Sequence, residues 1–142
     1  MTPGAAVRAA IEQLNAQYAW SLDLKRYEEL REVFTPDVRY VSGDNERIGI
    51  DAVIDSFAKR TGARTTRHGW SSLVLTEVNS RTVSGRSCWF SYAHNSAPPI
   101  VGTPVYMVAD FLDTYVLDDT DRWRIAERRI VPVFRDPALA PS

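Results

Sequence analysis

Thr82-Val-Ser-Gly-Arg-Ser-Cys-Trp-Phe-Ser-Tyr-Ala-His94 decides the fold class. Its alternation, with β-branched and aromatic residues and no proline, predicts one long strand. Runs of the same kind cover residues 65–78, 105–117 and 122–134. Asn79-Ser-Arg81 and Asp118-Asp-Thr-Asp121 supply turn residues between them. The second half of the chain is therefore expected to be an antiparallel meander.

Upstream the period changes from two to nearly four. Val7, Ile11, Leu14 and Tyr18 fall at helical spacing, predicting an amphipathic helix over residues 3–22 with Pro3 in its first turn. A second helix is expected over residues 24–34, with Tyr27, Leu30, Val33 and Phe34 inward and Pro36 barring continuation. Residues 38–42 read as a short strand, Gly43-Asp-Asn45 as a turn and residues 46–48 as its hairpin partner. Asp51 is the expected N-cap of a third helix reaching Gly62. Helices first and a meander second predict an α+β fold, with helices packed on one face of the sheet.

A length of 142 residues fits one domain over residues 1–142, with a short tail at 136–142. Hydrophobic residues at 44% and charged residues at 25% match ordinary folded proteins, which excludes disordered and fibrous classes. Seventeen Lys and Arg against 18 Asp and Glu give a net charge of -1, with the bases dispersed, so neither nucleic acid nor a membrane surface is an expected partner. Cys88 has no second cysteine to pair with, and Met1-Thr-Pro-Gly-Ala-Ala-Val-Arg8 lacks the pattern of a secretory signal. A cytoplasmic location is the expectation. Apolar residues occur on both faces of the long strands, Trp89 against Phe90 and Tyr106 and Val108 against Met107 and Phe111, which predicts a homodimer or homotrimer.

His68 and His94 are the only histidines, and both fall in predicted strands. Imidazole is the side chain best suited to proton transfer near neutral pH. Cys88, Phe90, Tyr92 and His94 share one face of their strand, and Trp89, Ser91 and Ala93 the other; parity leaves open which is concave. Asp23 reads either as the N-cap of the second helix or as an acidic partner for a histidine. Tyr18 and Tyr40 are either core filler or phenols facing a ligand. Asp110 and Asp113 lie on opposite faces, so at most one points inward. Glu127 and Arg129 share a face with Trp123 and Ile125, as an internal ion pair or a wet edge. A Gly-rich phosphate loop, Cys-x-x-Cys, His-x-x-x-His and Gly-x-Ser-x-Gly are all lacking, so neither cofactor nor metal is expected.

Four stretches carry a resemblance: residues 18–40, Thr66-Arg-His-Gly-Trp-Ser-Ser-Leu73, Asp113-Thr-Tyr-Val116, and Trp123-Arg-Ile-Ala-Glu-Arg-Arg-Ile-Val-Pro-Val133. Together they resemble a SnoaL-like domain of the nuclear-transport-factor-2-like superfamily, in the branch of scytalone dehydratase, hexachlorocyclohexane dehydrochlorinase and bile-acid dehydratases. The resemblance implies a cone-shaped α+β barrel, a curved antiparallel sheet enclosing a pocket under the first helices. It implies His68 as base, Asp23 as its orienting partner, and His94 with Tyr18 or Tyr40 as the groups that polarise or protonate a substrate oxygen. Phe90, Tyr92 and Trp70 would contact the substrate. Scytalone dehydratase has a tyrosine immediately before its Asp, where this chain has Leu22, which argues against scytalone itself; many relatives have Asn where Ser72 stands. The ketosteroid isomerase Asp is missing at Val41-Ser42, and the strand from Thr82 to His94 has no Arg-x-Asp element like that of limonene-epoxide hydrolases. The implied function is a cofactor-independent lyase, isomerase or cyclase of secondary metabolism, dehydratase-like, acting on a small apolar cyclic molecule such as a polyketide or terpenoid. The alternatives are a ligand-binding or subunit-scaffold protein like dioxygenase β-subunits, or an epoxide hydrolase-like enzyme.

Overall fold

The computed structural model describes residues 1–60, 62–102 and 105–142. In order, the chain forms α1 (Ala5–Asp23), a 3-10 helix (Tyr27–Glu32), β1 (Phe34–Ser42), β2 (Asn45–Ile48), α2 (Ile50–Ala58), β3 (Thr65–Asn79), β4 (Thr82–His94), β5 (Val105–Leu117), β6 (Trp123–Arg135) and a 3-10 turn (Pro137–Leu139). The strands make one curved sheet in the order β2-β1-β6-β5-β4-β3. The α+β class and the meander β3 to β6 agree with the sequence. Two features of the sheet differ: β1 pairs in parallel with β6, so the sheet is mixed, and β2 and β3 remain edges, so it is not closed.

The second helix is one short 3-10 segment, and β1 begins already at Phe34. Pro36, expected to stop a helix, is instead carried within a strand, where β1 and β6 change register between Phe34 and Arg39. α2 ends at Ala58, short of Gly62. Gly49, at φ 88°, holds its N-cap position instead of Asp51, whose carboxylate lies 2.8 Å from Arg31. Position 49 thus needs a backbone conformation that glycine adopts without strain.

The core lies between the helices and the inner sheet face. Trp70, Trp89 and Phe111, from three adjacent strands, stack in sequence with ring centroids 5.3 and 4.5 Å apart. Tyr18 of α1 meets Trp89 edge-on at 5.5 Å, joining helix to sheet. In β4, Trp89, Ser91 and Ala93 are the buried set, while Phe90 and Tyr92 are exposed. The face carrying Cys88, Phe90, Tyr92 and His94 is therefore the outer one. The ring of Phe90 sits over Gly69 on β3, where a Cβ would come within 2.6 Å of it. That close approach explains a glycine mid-strand.

Between β5 and β6 the register shifts, with Thr114 opposite Glu127 and Tyr115 opposite Ile125. The extra residue, Ala126, reverses side-chain parity. Ile125, Arg128 and Ile130 consequently point inward and buried, while Glu127 and Arg129 share the outer side with Thr114 and Leu112. The internal ion pair is Arg128 with Asp113, not Glu127 with Arg129. Asp110 pairs outside with Arg86, leaving Asp113 as the one inward aspartate of β5.

Candidate active site

Asp23 is the last residue of α1, a costly place for a carboxylate because the helix dipole is negative at that end. Three donors compensate. Its carboxylate accepts the Thr66 hydroxyl at 2.8 Å, the His68 backbone N–H at 3.0 Å and, at 2.6 Å, His68 Nδ1. With all its bonds directed to β3, Asp23 caps no following helix; Arg26 is the N-cap residue of the 3-10 segment. The Asp23 side chain is 3% exposed and that of His68 19%, so the carboxylate is sealed while the imidazole reaches open space.

That space is a cavity of about 230 Å³. Leu22, Phe57, Met107, Ala109 and Ile130 give it apolar walls, and His68, Tyr18 and Tyr40 provide polar groups. The two phenol oxygens are 2.7 Å apart. Burial pushes both phenols above their ordinary pKa, Tyr40 furthest, with a smaller opposing pull on Tyr18 from Arg128. Both therefore remain protonated donors across the physiological range. One hydroxyl proton is used between them, and the other is free for a ligand oxygen.

Beneath the cavity floor lies a buried polar network absent from the sequence reading. Arg128 donates to Asp113 at 2.9 Å through both Nε and Nη2, and its Nη2 also donates to Asn15. Tyr115 donates to Asp113 at 2.7 Å. Burial is the largest single influence and opposes the Arg128 charge, but the attraction of Asp113 and its hydrogen bonds, with Tyr115 and Tyr18, together outweigh it and raise the guanidinium above its ordinary range. The cation also lies 4.5 Å from the Tyr18 ring centroid and 4.8 Å from that of Phe111. This network fixes the floor and the Tyr18 ring.

The mouth carries Lys25, Arg60 and Arg64. Lys25 follows the C-cap of α1 at φ 58°, a position more often filled by glycine, with Arg26 N–H bonded to Ser21 C=O and Lys25 N–H to Leu22 C=O. The expected tail is ordered over this end: Arg64 and Asn95 hold the carbonyls of Leu139 and Ala140, and Pro141 and Ser142 line the cavity.

The structure thus brings Asp23, His68, Tyr18 and Tyr40 together. It does not bring in His94, whose Nδ1 bonds the Ser96 hydroxyl at 2.8 Å on the outer strand face. Tyr92 points outward beside it. Phe90 contributes to the lining, but its ring packs over Gly69 on the outer side. Trp70 stacks on Trp89 behind the wall and does not line the cavity. Among the described residues, no cluster of His, Cys, Asp and Glu has the makings of a metal site.

Residues 4–129 match the SnoaL-like domain. The chain belongs to that family. Among solved structures this SnoaL-like chain is similar to a candidate scytalone dehydratase from Novosphingobium aromaticivorans, with 20% identity over 91% of this chain and 85% of that one and a TM-score of 0.76. It is also similar to LinA, at 19% identity over 91% and 87% of the two chains and a TM-score of 0.76. Aln2 from a Streptomyces species superposes with a TM-score of 0.80 at 16% identity, over 93% and 94%. At these identities the likeness concerns the fold, that of the nuclear-transport-factor-2-like superfamily expected from the resemblance. No curated protein sequence matches the SnoaL-like chain.

Proposed function

We propose that this SnoaL-like protein is a cofactor-independent enzyme of the dehydratase, isomerase or cyclase kind, acting on a small cyclic molecule bearing a carbonyl. The carrying observation is the sealed Asp23 carboxylate 2.6 Å from Nδ1 of a histidine that faces an apolar cavity. The Asp23 contact places the proton of the neutral imidazole on Nδ1 and leaves Nε2 as the base. Nε2 takes a proton from the carbon beside the carbonyl, and the electron pair moves into an enolate. Asp23 stabilises the imidazolium. The free hydroxyl of the Tyr18–Tyr40 pair donates a hydrogen bond to the carbonyl oxygen as charge develops there and keeps its proton. In an elimination the enolate pair re-forms the carbonyl and expels a β-hydroxyl, which leaves as water with the proton held on Nε2. In an isomerisation that proton returns to another carbon. His94, on the outer face, takes no part. An open apolar cavity with a poised base favours this reading over a filled scaffold.

Asp23→Asn tests the pairing. The amide keeps the shape but not the charge that stabilises imidazolium, so turnover of a cyclic β-hydroxyketone should fall by about 100-fold or more. Near wild-type turnover would remove Asp23 from the chemistry.

The assembly is part of the same proposal. Phe90, Tyr92, Val105, Val131 and Phe134 are exposed at 36%, 45%, 37%, 40% and 70%, and strand registers put them on the outer face. We assign this apolar face to a second copy of the chain, as homodimer or homotrimer, in the cytoplasm. No helix among the described residues is long and apolar enough to cross a membrane. Sedimentation equilibrium should give a multiple of 16.0 kDa, and a concentration-independent monomer mass would refute the assignment.

A further inference from the structure

The mouth of the cavity is rich in cations and has no acidic side chain. Lys25, Arg60 and Arg64 all line it and no Asp or Glu side chain does; the carboxyl of Ser142, which also lines it, is the one anionic group there among the described residues. Elsewhere the arginines are mostly paired: Arg8, Arg31, Arg39, Arg86, Arg122, Arg124 and Arg128 each lie within ion-pair distance of a carboxylate. Arg60 and Arg64 have no such partner among the described residues, and the guanidinium of Arg60 rests over the Phe57 ring, 4.9 Å from its centroid. Arg64 is held in place, its Nη1 donating to Asn95 at 2.8 Å and to the Leu139 carbonyl at 2.9 Å, while its buried Nε has no partner. A buried guanidinium N–H without an acceptor is an unmade charge-assisted bond.

We propose that Arg60 and Arg64, with Lys25 beside them, bind an anionic group of the substrate, so that its class is a cyclic carbon frame ending in a carboxylate or comparable oxyanion. This deepens the proposed function, since it concerns the same cavity. Burial and the neighbouring Arg60 charge both disfavour the Arg64 cation, a repulsion that an entering anion relieves. Tyr27 and Tyr106 also line this end, and the Arg64 guanidinium lies 5.3 Å from the Tyr106 ring centroid, so the anion would meet donors and cations. Arg64, Thr66 and His68 alternate along one side of the chain entering β3, and Arg64 is roughly 13 Å from His68 at the rise of extended backbone. The anion and the reacting carbon therefore sit at opposite ends of the ligand. Binding the anion would hold the remote end while His68 acts on the other.

Titration calorimetry with 2-naphthoate and its neutral isostere 2-naphthamide at low salt tests this without needing turnover. The wild-type protein should bind naphthoate about tenfold more tightly or better, and the preference should shrink with added salt. Arg60→Gln, which breaks no side-chain hydrogen bond among the described residues, should reduce the preference with naphthamide affinity changed by less than about threefold. Arg64→Gln, which also releases Asn95 and the Leu139 carbonyl, should reduce the ratio of the two affinities, and the double variant should abolish the preference. Arg60→Lys should restore part of it. Equal affinity for the two ligands, failure of naphthoate to bind, or a preference surviving both substitutions would overturn the inference. His68→Ala is expected to keep the anion preference while losing turnover, so the anion site and the proposed chemistry fail separately.

Discussion

His68→Ala is expected to lower turnover of a cyclic β-hydroxyketone by about 100- to 10,000-fold, the usual range for losing a positioned acid-base group. Three features set that expectation. His68 is the only histidine in the cavity wall, Asp23 fixes its orientation, and no second imidazole replaces it, because His94 is bonded to Ser96 on the far face of the sheet. The fold should survive, since His68 is partly exposed and its backbone N–H, which holds Asp23, is kept in alanine. Circular dichroism and a melting curve distinguish lost chemistry from lost structure. His94→Ala should leave turnover within about threefold of wild type, since its ring touches no part of the cavity.

Asp113→Asn is expected to produce the largest loss of stability among single polar substitutions. Arg128 and Asp113 are both 0% exposed in their side chains, and the carboxylate is the only charged partner of the guanidinium among the described residues. Removing its charge leaves a buried cation uncompensated, at a cost of about 3–5 kcal/mol. Urea unfolding would read this as a lower midpoint with little change in slope. The double variant Asp113→Leu with Arg128→Met should recover part of the loss, because it removes the uncompensated charge but leaves Tyr115 without its acceptor and Asn15 without its donor. A single variant within about 1 kcal/mol of wild type would mean that water or another group compensates Arg128. The network also fixes Tyr18, so the single variant should weaken ligand binding before it unfolds the protein.

How much of this could be read from the sequence varied with the kind of feature. The long strands were legible because alternation is local, and β4 runs over the expected residues, Thr82–His94. Which side of β4 faces inward was not, because Trp89 and Phe90 are equally apolar and only packing against Tyr18 and Phe111 decides between them. The same ambiguity leaves the side taken by His94 and Tyr92 open until that packing is known. The second helix failed for a different reason: Val33 and Phe34 suit both a helical stripe and a strand start, and parallel pairing with β6 is a distant contact that no local window contains. Arg128 was hidden by the bulge at Ala126, which reverses the parity of β6. A signal did exist, because Glu127-Arg128-Arg129 is a charged triplet in a strand and alternation must turn at least one of the three inward. Asn15, within the apolar stripe of α1, marked its partner. Arg60 and Arg64 lie outside any periodic element, so only the fold gathers them at the cavity mouth.

Proton abstraction by His68 can be measured without knowing the natural leaving group. In D2O, a cyclic ketone such as 2-tetralone or its carboxylated analogue exchanges the hydrogens beside its carbonyl, and proton NMR follows their loss. The wild-type protein should accelerate this exchange by about 100-fold or more over buffer, and His68→Ala should return it to the buffer rate. Exchange at the buffer rate with the wild-type protein across such ketones, or acceleration that persists in His68→Ala, would contradict the assignment of His68 as the base.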